Sequence, residues 1–275
     1  MPLIDYATVE LQSGPLRSRG RVHTQAVEPS EPEGALGWVL VFEARDAPPG
    51  WFDVPDLDLQ PALIKAVDAA AMRAAAALLP GPAAGPDPAL LVERMLTEAN
   101  RAIFELSTGE RGMLYKGSFA EAVGAVLTPT EVAIGWVGAA RAYLLRGGAP
   151  RCLTRDHTLL RELTESRAAE GKPLTEQEIA EFPHKNIVTR SLGLCEQVQI
   201  ETRRLSLEPG DQLLLASAAV GEPPEAIVRE LAARLPHEPA QPPHELAVKV
   251  ATHAALAAPG RAIAAAVVKL ARGES

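Results

Sequence analysis

The sequence predicts an α+β fold in which helices cover antiparallel sheets. Three observations lead there. Strand-like runs rich in Val, Ile, Leu and Trp arrive in groups rather than alternating one by one with helices. Two long stretches, residues 57–79 and 87–106, carry apolar residues at helical spacing and fall between two of those groups. Tight-turn sequences, Gly147-Gly148 and Pro209-Gly210-Asp211, join neighbouring strand-like runs, as antiparallel pairing requires. The chain has 275 residues, no internal repeat and no domain-sized linker, so one domain over 1–275 is expected.

The elements follow in order. Residues 6–11 and 21–25 read as strands punctuated by Ser13-Gly14 and Arg19-Gly20. Residues 27–34, rich in Glu and Pro, read as an acidic loop, and 38–42 (WVLVF) as a buried central strand. Residues 44–53 contain Pro48-Pro49-Gly50 and are expected to be a loop. The helix over 57–79 stops at Pro80-Gly81-Pro82. Asp87-Pro88 opens the next helix in the favoured order of cap and first-turn proline, with Leu91, Met95, Ala99 and Ile103 on one face. The two helices should pack against each other and on a sheet.

Residues 113–127 and 131–146 supply three or four more strands. Within 131–145, two apolar runs are joined by Gly138-Ala139-Ala140, and the second closes on Gly147-Gly148. Residues 154–157 (TRDH) can cap the helix that begins near Leu159. Residues 162–182 read as helical but broken at Gly171-Lys172-Pro173, with a capping box at Thr175 and Glu178. Residues 186–193 and 197–205 look strand-like, and 212–216 reads as a buried strand. Residues 225–235 and 245–257 are expected helices. Residues 263–270 form a last strand or continue the helix.

Composition limits the function. Aromatic residues make up only 4% of the chain, so core volume must come from Leu, Val, Ile and Ala. The net charge of −8 gives no basic footprint, and a nucleic-acid partner is not expected. Cys152 and Cys195 do not make a disulfide framework and read as two buried thiols in a reducing compartment. The opening MPLIDYATVE lacks the pattern of a signal peptide, and no apolar run is long enough to span a bilayer without charges. A cytoplasmic protein without a membrane partner is expected.

Four segments together resemble one family. VGAARAYLLRGG followed by LTRDHT is similar to the VGDSRAYLLRDG and LTRDHS of the metal-dependent PPM-type protein phosphatases (protein phosphatase 2C). RGRVHTQAVE, LTEQEIAEFPHKNIVTRSLG and LEPGDQLLLAS resemble three further segments of that family, in the family's order. The resemblance implies a four-layer αββα sandwich: two facing antiparallel sheets flanked by helix pairs. In the family, aspartates at the edge of the sandwich hold two Mn²⁺ or Mg²⁺ ions that activate a water for attack on phosphorus.

The same resemblance shows the acidic positions replaced. The family's Asp-Ser pair is Ala139-Ala140. Its Asn-Glu-Asp is Ala26-Val27-Glu28, and the upstream phosphate-gripping arginine is His23. Its Asp-Gly-x-Gly-Gly loop is EARDAPPG, with Ala44 or Arg45 at the aspartate, or Asp46 after a small shift. Its Ser-Asp-Gly is Ser217-Ala218-Ala219, and its final Asp-Asn is Arg261-Ala262. His23, Glu28, Asp46, Ala139, Ala218 and Arg261 thus mark a degenerate pocket, with Arg261 expected to pair with Glu28 or Asp46 in place of the cations. No catalytic residue, metal ligand or cofactor is expected from this pattern. The implied role is a non-hydrolysing regulatory protein that binds a phosphoprotein or a kinase. The alternative is a weakly active metal-dependent phosphatase using Glu28, Asp46 and Asp53. Arg141, Arg155 and Arg190 are expected to form structural pairs at strand ends, and Asp156-His157 a turn network. His237, His244 and His253 match no metal-ligand spacing.

Overall fold

A computed structural model describes residues 4–12, 18–26, 37–45, 87–109, 117–128, 130–147, 149–185, 187–208, 210–217 and 262–270, with single helical positions within 62–73 and 246–252. Among the described residues, ten strands form two five-stranded antiparallel sheets. One sheet has the order β1 (Ile4–Gln12), β10 (Ala262–Leu270), β9 (Gln212–Ala216), β6 (Arg141–Arg146) and β7 (Ala149–Cys152). The other has β2 (Ser18–Ala26), β3 (Gly37–Arg45), β4 (Phe119–Leu127), β5 (Glu131–Val137) and β8 (Glu201–Ser206). Helix α1 (Pro88–Thr108) packs on β4, β5 and β8, while α2 (Leu159–Ala169) and α3 (Glu176–Glu181) bury no residue.

The two sheets lie face to face. Alternation along each strand sends Val39 and Val41 of β3, Val123 and Ala125 of β4, and Val132, Ile134 and Trp136 of β5 to the inner face. There they meet Ala142 and Leu144 of β6, Leu213 and Leu215 of β9, and Ala264, Ala266 and Val268 of β10. The opposite face of the second sheet carries Leu40, Phe42, Ala122, Val126 and Ala133. It packs against Leu91, Val92, Met95, Leu96, Ala99 and Ile103 of α1, together with Val67. Small residues let the helix approach. Gly124 and Gly135 are cross-strand partners, and a Cβ on either would lie 3.1 Å from Val92 Cγ2. The close approach agrees with a core built on small residues, although Trp38, Phe42 and Trp136 also contribute rings to it.

Most expected elements are present. Asp87 caps α1 through its side chain, which accepts from the Ala89 N–H at 2.9 Å, and Pro88 sits in the first turn. The capping box at Thr175 and Glu178 is formed in both directions. All five residues of β9 are buried. Residues 262–270 are a strand paired with β1 and β9, which resolves the open end of the chain. The described positions within the expected helix 57–79, namely 62, 65–67, 69, 70 and 73, are helical. The expected loop over 27–34 and helix over 225–235 lie outside the described residues.

Four expectations are corrected. Ala44 and Arg45 belong to β3 rather than to a loop, because β3 continues its ladder with β4 through Ala44–Ala120 and Arg45–Phe119. Within the expected strand 186–193, the described residues 187–193 form no strand and make two isolated bridges, Thr158–Val188 and Ala120–Leu192. The cap of α2 is Thr158, one residue beyond the TRDH run, since its hydroxyl accepts from the Arg161 N–H. Both cysteines are free and exposed rather than buried: Cys152 ends the edge strand β7 and Cys195 lies in the loop after Gly193.

That loop is stitched to α1 by one buried side chain. Asn100 Nδ2 donates to the carbonyls of Cys195 (3.2 Å) and Glu196 (3.0 Å), and Asn100 Oδ1 accepts from the Gly193 N–H (2.8 Å). Asn100→Ala leaves a buried N–H and two carbonyls without these partners, and is expected to cost about 2 kcal/mol. Urea unfolding of the variant beside the parent chain checks it.

Candidate functional site

The site is built at the corner where the chain leaves one sheet for the other. The two apolar runs 131–137 and 141–146 do not pair with each other. β5 pairs with β4 and β8, whereas β6 pairs with β7 and β9. Gly138-Ala139-Ala140 is therefore a crossing between sheets rather than a hairpin turn. Small residues suit it, because Gly138 has φ +90 and its backbone passes against Glu121.

Two fully buried acids border this corner. Glu43 of β3 and Glu121 of β4 are direct register partners, and both have no exposed surface. Strand alternation turns both toward the space between the sheets, the side of Val41 and Val123. Glu121 Oε2 accepts from the Ala139 N–H at 2.7 Å. Charged side chains in such surroundings are retained only with compensating hydrogen bonds or ion pairs. Neither is among the expected site residues, since the loop is expected to start at Ala44 and the acid to lie at Ala44, Arg45 or Asp46. The signal was a single acidic residue closing or interrupting an otherwise apolar strand run, at WVLVFE and at FAEAV.

On the other side of the corner sits His157, 4% exposed. Its Nδ1 accepts from the Gly138 N–H at 3.1 Å, and its backbone N–H donates to the Gly138 carbonyl at 2.9 Å. Its own carbonyl accepts from the Thr189 N–H at 2.8 Å. The ring stacks on Trp136 at a centroid distance of 6.3 Å. This pairing assigns the ring proton to Nε2, which lies 3.2 Å from Glu201 Oε1 but off the line of a hydrogen bond. Burial, then the Arg190 charge, holds the imidazole below its ordinary pKa of 6.5, against the opposing pull of Glu201 and Asp156. Glu201 lies below the ordinary carboxylate range. Burial acts to raise it, but His157 and the Arg155 guanidinium together outweigh burial.

The sign of the pH dependence follows. The unfolded chain takes a proton on this histidine below about pH 6.5, before the folded chain does. The stabilisation from neutral His157 is thus complete above that pH and is lost as the pH falls toward the lower folded value. Urea unfolding at a series of pH values between 8 and 5 is expected to show this loss, and His157→Asn is expected to remove it.

Arg141, Arg155 and Arg190 are paired, as expected, though only Arg141 lies at a strand end. Arg141 binds Asp156 through two bonds, one of them Nε to Oδ1 at 2.8 Å. Arg155 and Arg190 both reach Glu201 at 3.3 Å, and Arg155 also lies 3.7 Å from Glu165. A further clamp holds the end of β6: Arg146 binds Asp211 bidentately at 2.9 and 2.6 Å, and Glu208 at 2.7 Å. Ser217, at the end of β9, is buried and accepts from the Ala264 N–H at 3.2 Å, which ties it to β10.

The positions marked in the sequence fall unevenly on this geometry. Ala139 is at the corner, with its amide bound by Glu121. His23 lies on β2 opposite Leu40. Glu28, Asp46, Ala218 and Arg261 lie outside the described residues, as do His237, His244 and His253. The expected pairing of Arg261 with Glu28 or Asp46 therefore also falls outside them. Among the described residues no group of three His, Cys, Asp or Glu side chains could hold a metal ion. Glu43 and Glu121 alone do not complete the oxygen shell of a hard divalent cation.

The architecture is the fold of the serine/threonine phosphatases of the PPM, or 2C, type. The chain superimposes on the Mycobacterium tuberculosis serine/threonine phosphatase PstP/Ppp with a TM-score of 0.69 over 99% of this chain and 100% of that one, at 18% identity. It matches the catalytic domain of serine/threonine protein phosphatase PstP in complex with two manganese ions with a TM-score of 0.68, at 17% identity, over 99% and 100% of the two chains. In sequence it is similar to the serine/threonine phosphatase stp of Listeria innocua, 30% identical over 141 residues, which is 51% of this chain and 53% of that protein. The chain spans about half the length of the curated relatives it matches. No protein-family profile matches it.

These findings correct one expectation. The sequence pattern implied no cofactor, yet one of the structures sharing this fold holds two manganese ions. The replaced acids at a few positions therefore do not license the absence of a metal. No helix among the described residues is long and apolar enough to cross a membrane.

Proposed function

We propose that residues 1–275 form one protein phosphatase 2C-like domain that binds a phosphoprotein in cytoplasmic signalling without hydrolysing it. The observation that carries this reading is the corner itself. Where the resembling phosphatases have Asp-Ser, this chain has Ala139-Ala140, and the Ala139 amide is bound by the chain's own Glu121. Ala139 and Ala140 have no carboxylate or hydroxyl to offer a reacting water or phosphoryl oxygen. His23, in place of the arginine, weakens the grip on phosphate without removing it. A phosphoprotein or the kinase that makes it is the class of partner that this frame suits, by analogy with the fold.

The reading is tested by binding. A phosphothreonine peptide is expected to bind at least about tenfold more tightly than its unphosphorylated form, by fluorescence polarisation with manganese supplied. Equal affinities would remove phosphoprotein recognition.

One observation favours a second reading, a weakly active metal-dependent serine/threonine phosphatase. Glu43 and Glu121 place two carboxylates beside the corner. Manganese-dependent turnover that disappears in Glu43→Gln would support it, and turnover indifferent to Glu43 would dismiss it.

A further inference from the structure

We propose that His157 is a proton-operated latch on the corner at 138–140: protonation of its Nδ1 breaks the bond from the Gly138 N–H and frees the crossing between the sheets. This goes beyond the proposed function and does not depend on it.

The geometry leaves Nδ1 one role. It is a hydrogen-bond acceptor, 3.1 Å from a backbone donor, on a ring that is 4% exposed. In the imidazolium both ring nitrogens carry protons, so Nδ1–H would face Gly138 N–H, donor against donor. The corner cannot simply shift away. On its far side the Gly138 backbone lies against Glu121, where a Cβ would come within 2.7 Å of Glu121 Cγ. The Ala139 amide is also held there by Glu121 Oε2. The ring is confined too, by Trp136 on its face and by its own backbone bonds to Gly138 and Thr189.

The charged groups around the ring come from every element packed on it. Glu201 of β8 faces Nε2 at 3.2 Å, and Arg190, from the segment after α3, binds the same carboxylate. Arg155 and Asp156 precede it in sequence, with Asp156 turned to Arg141 and Arg155 turned to Glu201 and Glu165. Glu121 of β4 lies across the corner. Glu201 and Asp156 favour the imidazolium, while Arg190 and burial oppose it. Proton uptake thus strengthens the Glu201 contact while it breaks the Gly138 contact, which couples the ring's charge to the corner.

The test uses the full chain and NMR. The ring nitrogens of His157 and the hydrogen exchange of the Gly138 amide are followed from pH 8 to pH 5, with exchange corrected for its intrinsic pH dependence. The expected result is a neutral ring protonated on Nε2 at high pH. As Nδ1 takes its proton, Gly138 protection should fall by about tenfold. His157→Asn places an amide oxygen near the Nδ1 position, so it should keep Gly138 protected at every pH. Unchanged Gly138 protection while the ring titrates would overturn the latch. So would a ring that stays neutral at pH 5, or the same loss of protection in the folded His157→Asn variant.

Discussion

Gly193→Ala is expected to destabilise the fold by about 4 kcal/mol. The residue has φ +92, and a Cβ there would lie 2.1 Å from Ile103 Cγ2 and 2.8 Å from Ile103 Cβ. Ile103 is 1% exposed in the core between α1 and the sheet, so it cannot yield without repacking that layer. The Gly193 N–H also binds the buried Asn100, so a shift of the loop breaks the stitching to α1 as well. Gly147→Ala separates strain from collision. That glycine has φ +60, but nothing lies within 4 Å of its would-be Cβ, so only about 1 kcal/mol should be lost. Urea unfolding of the two variants checks the contrast, and equal losses would contradict it.

Gly138→Ala is expected to cost about 3 kcal/mol. Its φ is +90, and the new methyl would meet Glu121 at Cγ (2.7 Å), Cβ (2.8 Å) and Oε2 (2.9 Å). The collision involves the root of the side chain, not a free end. Relief must move β4 or the corner, which disturbs the Ala139–Glu121 bond and the Gly138–His157 bond together. The variant should therefore show both a lower unfolding midpoint and faster exchange of the amides at positions 138 and 139 than the parent chain. An unfolding free energy within about 1 kcal/mol of the parent would refute the account of the corner.

The strands and caps were legible because their causes are local. Asp87-Pro88 and the Thr175–Glu178 box act within a single turn, and WVLVF and QLLLA are buried on both faces. What the chain order alone could not reveal was which strands pair. The runs on either side of Gly138 look like a hairpin in sequence, yet they enter opposite sheets. The pairing of Glu43 with Glu121 joins residues 78 positions apart through the β3–β4 register, so no spacing rule brings them together. His157 looked like part of a turn network, and it is. Its bond to Gly138, however, depends on the crossing between sheets that the sequence did not reveal. Residues 186–193 looked strand-like for their apolar content, but there the backbone is spent on two single bridges and on Asn100.

The most direct measurement is steady-state turnover of a phosphothreonine peptide with saturating manganese, comparing the parent chain with the double variant Ala139→Asp, Ala140→Ser. The account predicts little or no turnover by the parent, and at least about a tenfold gain on restoring the acid and the hydroxyl to the corner. Parent turnover in the ordinary enzyme range of about 1–10³ s⁻¹, left unchanged by the restoration, would contradict it.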